Sequence, residues 1–204
     1  ILRAIRFSAQ LGFIIEEETL DAAGRLAYTL ERISAERIQT ELVKLMVSPH
    51  PEYLRTAYDI GVTKVFLPEF DKAMETEQRH VHHCYNVGEH ILHSLTYVGE
   101  DKVLRLAMLF HDIGKPEVLT VDGEGVTHFY NHAAVSAEMA EKILRRLKFD
   151  NDTIDRVASL VACHDELPTL REAPVRRAIH RIGLRQFPDL FAVKRADALA
   201  KSPH

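Results

Sequence analysis

The stretch Leu104-Arg-Leu-Ala-Met-Leu-Phe-His-Asp-Ile-Gly-Lys115 decides how this chain reads. Leu104, Ala107, Met108 and His111 recur at i, i+3, i+4 and i+7, the spacing of one helical face, and Gly114 and Pro116 stop that helix just beyond. His111 thus falls on the face that meets the core, with Asp112 beside it. A carboxylate in low-dielectric surroundings is costly unless partnered, and a divalent metal satisfies Asp and neutral His together. A lone His-Asp would read instead as a core histidine bonded to a backbone carbonyl.

This one is not alone. Upstream, Tyr85-Asn-Val-Gly-Glu-His90-Ile-Leu-His-Ser-Leu predicts a helix with Val87, Ile91 and Leu95 as its stripe and His90 next to it. Downstream, His128-Phe-Tyr-Asn-His132 precedes a long helix carrying Met139, Ile143 and Leu147. Ile154, Val157 and Val161 then lead along one face to His164, and Leu190, Val193 and Asp197 share another, with an acid where a hydrophobe is expected. Polar ligand types recurring on the core faces of successive helices are how a bundle builds a metal site.

The rest of the chain also reads as helix, so the expected class is all-α. A Leu2, Ile5, Ala9 stripe stops at Gly12. Ser34 stands where it can cap a helix whose Ile38, Leu42 and Leu45 face inward, and Pro51 opens another that closes near Gly61. One interruption is expected: Val118 to Val121, the turn Asp122-Gly-Glu-Gly125, then Val126 to Phe129 predict a small hairpin or lid. The polar, acidic run Asp71 to His80 reads as a linker, dividing the chain into residues 1–75 and 76–204.

Composition sets bounds. The 204 residues are 46% hydrophobic and 27% charged, ordinary for a globular chain. No apolar run reaches the roughly 20 residues of a membrane span, so no membrane partner is expected. Cys84 and Cys163 cannot form a disulfide framework, which points to a reducing cytoplasm. Cys163 adjoins His164 but reads as a buried thiol. A net charge of −4 argues against a protein that coats nucleic acid. Local basic patches remain: Arg3, Arg6, Arg37 and Lys44 early, and a second group including Arg176 and Arg177. Arg3, Arg6, Arg37, Arg176 and Arg177 are the candidate phosphate contacts, against the plainer alternative of solvated helix faces.

Taken together, His90, His111-Asp112 and Asp197 resemble the His, His-Asp, Asp pattern of the HD superfamily of metal-dependent phosphohydrolases. His132 and His164 resemble the extra histidines of its two-metal members. Asp189 and Asp165 are neighbouring acids that leave the last ligand open. The first third resembles something narrower. Leu2-Arg-Ala-Ile-Arg-Phe-Ser-Ala-Gln-Leu-Gly-Phe13, Ile33-Ser-Ala-Glu-Arg-Ile-Gln-Thr-Glu-Leu42 and Leu67-Pro-Glu69 look like the neck and RNA-binding region of bacterial tRNA nucleotidyltransferases, the CCA-adding enzymes, some of which carry an HD domain in this order.

That family's transfer chemistry uses a head with a Gly-Ser turn and an Asp-x-Asp strand, and an acid-x-x-Arg motif before the Arg-Ala-Ile-Arg-Phe stretch. None is in this sequence. Its only Asp-x-Asp, Asp150-Asn-Asp152, reads as a helix N-cap before Ile154. The expectation is therefore a portion of a longer protein whose residues here do not perform nucleotidyl transfer.

The resemblance implies one ion held by His90, His111, Asp112 and Asp197, with Asp112 bridging to a second held by His132 and His164. Such ions lower the pKa of bound water and neutralise phosphoryl charge, so no protein nucleophile is needed. Asp112 and Lys115 are the candidate catalytic residues, Lys115 opposing developing negative charge; the plain alternative is a surface lysine at a helix end. Mixed ligation suits one or two ions of Mn, Fe, Co, Ni, Zn or Mg. His82, His83, His93, His128 and His180 read as surface or supporting groups, with His82 and His83 near enough in sequence to line the pocket. The implied substrate is tRNA or a nucleotide phosphoester, either a phosphomonoester or a 2',3'-cyclic phosphate. A different class stays open: a tRNA-binding homodimeric scaffold whose HD-like fold is idle. A regulatory domain hydrolysing a nucleotide messenger would leave the neck-like residues unexplained.

Overall fold

Apolar stripes become helices along nearly the whole chain. The computed structural model describes residues 1–78, 85–165 and 172–201. The first region comprises α1 (Leu2–Leu11), α2 (Glu17–Arg25), α3 (Ala35–Met46), α4 (Leu54–Asp59), α5 (Thr63–Phe66) and α6 (Pro68–Met74), with 3-10 turns at Ala27–Arg32 and Pro51–Tyr53. α1 ends at Gly12, whose φ of 72° lies in the left-handed region and whose N–H donates to Ser8 O. Ser34 occupies the N-cap of α3, but its side chain makes no capping bond, contrary to expectation. Ile38, Leu42, Leu45 and Met46 are buried on the inner face of that helix.

The second region comprises α7 (Val87–Thr96), α8 (Lys102–Phe110), α9 (His132–Arg146), α10 (Asn151–Cys163), α11 (Glu172–Ile182) and α12 (Phe187–Leu199). Asn86, Asp101 and Asp150 cap α7, α8 and α10 by accepting backbone N–H bonds. α8 is the central element, packed by α7, α10, α12, α9 and α3. It is therefore buried on more sides than a single stripe implies: Val103, Leu106, Leu109 and Phe110 are as inaccessible as Ala107 and Met108, while Leu104 is only partly buried.

Between α8 and α9 lies the expected hairpin. β1 (Thr120–Val121) pairs antiparallel with β2 (Thr127–His128), Thr120 opposite His128 and Val121 opposite Thr127. Among the described residues no helix is long and apolar enough to cross a membrane.

The linker expectation needs correction over its first half. Asp71 to Met74 belong to α6, which Pro68 opens at its first turn, and Phe70, Ala73 and Met74 are buried against the neighbouring helices. Asp71 is itself buried, and burial raises its carboxyl pKa. The apolar i, i+4 pair Phe70 and Met74 outweighs the acidic flanks that suggested a loop. The hydrophobic core runs without a break from Leu2 to Ala196. Polar contacts tie the regions at the surface, among them the ion pairs Lys72 to Glu117 and Arg55 to Glu89. Arg146 forks onto Glu69, Nη1 to Oε1 at 2.7 Å and Nη2 to Oε2 at 2.8 Å, and Gln39 Nε2 donates to Lys148 O at 3.2 Å.

Candidate metal centre

Five elements deliver six side chains to one point. His90 comes from the middle of α7, His111 and Asp112 from the end of α8, His132 from the first turn of α9, His164 from the end of α10 and Asp197 from the last turns of α12. The chain leaves α8 tightly because Gly114 lies against α9: its N–H donates to Ser136 Oγ at 2.9 Å, and a Cβ there would stand 2.6 Å from Ser136 N. Only glycine allows that approach.

Asp112 is at the centre, and its two oxygens face different groups. Oδ2 lies 3.5 Å from His90 Nε2 and 3.4 Å from His111 Nε2. Asp197 Oδ1 closes this first group at 3.0 Å from His90 Nε2 and 3.8 Å from His111 Nε2. Oδ1 of Asp112 turns the other way, 3.3 Å from His132 Nε2 and 3.6 Å from His164 Nε2. Two sets, His90-His111-Asp112 and Asp112-His132-His164, could each hold a metal ion.

The donor chemistry fits that use. His111, His132 and His164 direct Nδ1 at the carbonyls of Met108, Phe129 and Val161, at 2.7, 2.9 and 2.7 Å. His90 Nδ1 is 3.4 Å from Ala200 O. A ring donating from Nδ1 keeps a lone pair on Nε2, and all four Nε2 atoms point inward. His90 Nε2 and His111 Nε2 are 3.1 Å apart, and His132 Nε2 and His164 Nε2 3.3 Å apart. Facing lone pairs repel, and a shared cation removes that repulsion. Ligands about 2.1 Å from one ion stand about 3.0 to 3.4 Å from each other, close to the separations found.

Electrostatics keep the donors ready. Burial pushes the His111 pKa down to about 3, so its imidazole is neutral. Burial works against charge on Asp112, but His111, Lys115, His132 and His164 together hold its pKa well below the usual carboxylate range. Asp197 behaves likewise, its burial outweighed by the bond from His90 and by neighbouring charge. His132 is the exception: burial opposes its charge, yet the Asp112 carboxylate raises its pKa and favours the protonated ring, whose proton an incoming ion would have to displace.

Lys115 is buried, not a surface residue: Nζ bonds Asp112 Oδ2 at 2.7 Å and Gln78 Oε1 at 2.9 Å. Lys201 does the same for Asp197, Nζ to Oδ2 at 2.8 Å. Neither Gln78 nor Lys201 was singled out in the sequence. Lys201 is four residues beyond Asp197, the helical ion-pair spacing that could have found it; Gln78 lies outside any periodic segment and gave no signal. A cavity of about 340 Å³ opens onto the group, lined by Asp112, Lys115, His132, His164, Asp197 and Lys201 and, from the hairpin and the residues after it, by Thr127 to Asn131.

The other candidates are elsewhere. Asp189 lies 3.7 Å from Arg156 Nη2, away from the ligands, and Asp165 reaches the cavity rim. Cys163 is buried and is not among the residues lining the cavity. His93 stacks on Tyr85, and His180 is exposed on α11. His82, His83 and Cys84 lie outside the described residues. Arg3 and Arg37 face a groove of about 290 Å³ on the first region, and Arg176 and Arg177 are exposed on α11. Arg6 corrects the phosphate expectation: it is buried, with Nε on Glu41 at 2.9 Å and Nη1 on Gln10 at 2.8 Å, so its guanidinium pairs internally.

A helical bundle with a His, His-Asp and Asp set on its core faces defines a class. Residues 80–202 match the HD domain, and the chain belongs to the HD-domain family. Residues 12–74 match a second family, described as a probable RNA and SrmB-binding site of polymerase A. The chain is 39% identical over 98% of its length to a CC-adding tRNA nucleotidyltransferase of Thermus thermophilus, covering 48% of that protein. It is 33% identical over 96% of its length to an A-adding tRNA nucleotidyltransferase of Deinococcus radiodurans, covering 47%, and 28% identical over 95% to a multifunctional CCA protein of an Azoarcus species, covering 49%. The chain thus spans about half the length of these relatives and corresponds to the neck and HD regions of such enzymes.

Proposed function

We propose that residues 76–204 form a divalent-metal-dependent phosphohydrolase acting on a phosphomonoester or a 2',3'-cyclic phosphate, and that residues 1–75 bind tRNA, as part of a tRNA nucleotidyltransferase-type protein working in the cytoplasm. The observation that carries the hydrolase reading is Asp112, whose two oxygens each face a separate set of inward imidazoles. A mere core histidine needs one carbonyl; four Nε2 atoms around one carboxylate have no structural task of that kind.

In this reading His90, His111, Asp112 and Asp197 hold one ion and Asp112, His132 and His164 a second. Bound ions supply Lewis acidity and lower the pKa of coordinated water. The chain does the rest. The four backbone carbonyls behind the rings fix the Nε2 lone pairs inward. Lys115 and Lys201 keep Asp112 and Asp197 ionised and add positive charge where a phosphoryl group would enter. Water adds across a P–O bond: a monoester yields an alcohol and inorganic phosphate, a cyclic ester a monophosphate and one free hydroxyl. Arg3, Arg37, Arg176 and Arg177 are the proposed RNA contacts.

The test compares wild type with Asp112→Ala, each loaded in turn with Mn²⁺, Ni²⁺ or Zn²⁺, on phosphomonoesters and nucleoside 2',3'-cyclic phosphates. Loss of a ligand common to both sets removes several kcal/mol of charge stabilisation, so turnover is expected to fall roughly 10³-fold. Equal turnover in the two proteins overturns the reading and leaves the idle scaffold.

A further inference from the structure

Where the hairpin meets the cavity, two aromatic rings lie stacked. Tyr130 is 71% exposed, yet its ring lies on that of His128 with centroids 5.4 Å apart and planes 7° from parallel. His128 is fixed from behind by Asp122, Nε2 to Oδ2 at 2.7 Å. Asp122 in turn is locked by the turn it begins, its Oδ1 accepting from the N–H groups of Glu124 at 3.0 Å and Val126 at 2.9 Å. The hairpin thus orders an aromatic pair that the apolar core does not cover.

Its position relative to the ligands is equally constrained. Asn131, between Tyr130 and His132, has φ 60°, in the left-handed region, so the chain bends sharply just before α9. Tyr130 and His132 both line the cavity. Their Cα atoms are at most about 7.6 Å apart, two peptide steps of about 3.8 Å, so an aromatic side chain and a ligating imidazole enter one cavity from neighbouring positions. An aromatic ring already stacked on a fixed neighbour has less rotamer freedom to lose, so it binds a second ring at lower entropic cost.

We propose that Tyr130, backed by His128, is a stacking platform for a nucleobase, so that the pocket prefers nucleoside phosphates to phosphoesters that carry no base. The proposal rests on the hydrolase reading for which group reacts, while the platform stands on its own geometry. Every base has a π-face, so preference for a base is expected without strong choice among the four. The ring could receive a base from a free nucleotide or from the 3' end of an RNA.

The test measures kcat/KM of the metal-loaded protein on adenosine 2',3'-cyclic phosphate, adenosine 3'-monophosphate, a short RNA ending in a 3'-phosphate, and base-free ribose 5-phosphate. In Tyr130→Ala the ratio of base-bearing to base-free kcat/KM should fall about tenfold, mostly through KM, as loss of one base stack implies, and Tyr130→Phe should restore it. A fall for the mononucleotides alone assigns the platform to free nucleotides; a fall for the RNA alone assigns it to RNA ends. A second readout uses adenosine, which has no phosphoester: saturation-transfer NMR should show signal on the adenine protons in wild type and Tyr130→Phe, several-fold weaker in Tyr130→Ala. Hydrolysis with an unchanged ratio and unchanged adenine signal overturns the platform and spares the hydrolase. A Tyr130-dependent adenine signal in a protein that hydrolyses nothing does the reverse.

Discussion

α3 in the first region and α8 in the second obey the same spacing rule and end in different chemistry. On α3 the inward positions are Ile38, Leu42, Leu45 and Met46, all apolar; on α8 the stripe runs through Ala107 and Met108 into His111, with Asp112 next to it, and both are fully enclosed. One helix needs nothing beyond its neighbours. The other brings buried polar groups whose desolvation must be offset by specific partners, and those partners make up the candidate metal centre.

The sharpest way to break that contrast is to cut one side chain from each kind of stripe. Leu42→Ala should lower unfolding free energy in denaturant by about 2 to 5 kcal/mol, the cost of a buried cavity, and leave metal content per folded molecule unchanged. His164→Leu should do the opposite, costing less stability than Leu42→Ala and reducing bound metal, measured by elemental analysis, from two equivalents to one. Equal metal loss from both substitutions would erase the distinction.

Acid provides a milder probe. His111 has a folded pKa of about 3 against an ordinary value of 6.5, so between those values the unfolded chain binds more protons than the folded one. Stability of the metal-free protein therefore falls as pH drops from 6.5 towards 3, and the depressed pKa of Asp112 acts in the same direction at the acid end. Thermal unfolding of chelator-treated protein across that range checks the sign; a melting temperature flat from pH 6.5 to 4 would contradict a neutral buried His111.

The smallest effect lies at the joint between the regions. Burial opposes charge on Glu69, but Arg146 outweighs it and lowers the Glu69 pKa, so the pair stabilises above pH 4.5 and is lost as pH falls through the lowered value. With Arg146 45% exposed, solvent screening limits the contribution, and Glu69→Gln should cost no more than about 1 kcal/mol, less in high salt. Denaturant titration at two ionic strengths reads this directly.

These contrasts also explain what was legible in the sequence. His111-Asp112 could be read because polar groups interrupting an apolar stripe are improbable without a task, and the same logic picked out His90, His164 and Asp197. The hairpin was visible in its Gly-containing turn. The inward turn of Lys115, a candidate from its place beside Asp112, and of Arg6 was not: a long side chain at a helix end or on a stripe can reach water or fold inward, and only the packed neighbours Gln78, Asp112, Glu41 and Gln10 decide it. Asp71 misled because its acidic surroundings outvoted the Phe70 and Met74 spacing that builds α6.

The uninterrupted core has a consequence for cutting the chain in two. Phe70 and Met74 are buried on α6, which packs on α7 with Met74 against Gly88, so severing the chain after residue 75 would strand an oily face on each piece. Either half made alone would need a new cover for the face it lost, or it would associate with other copies through it.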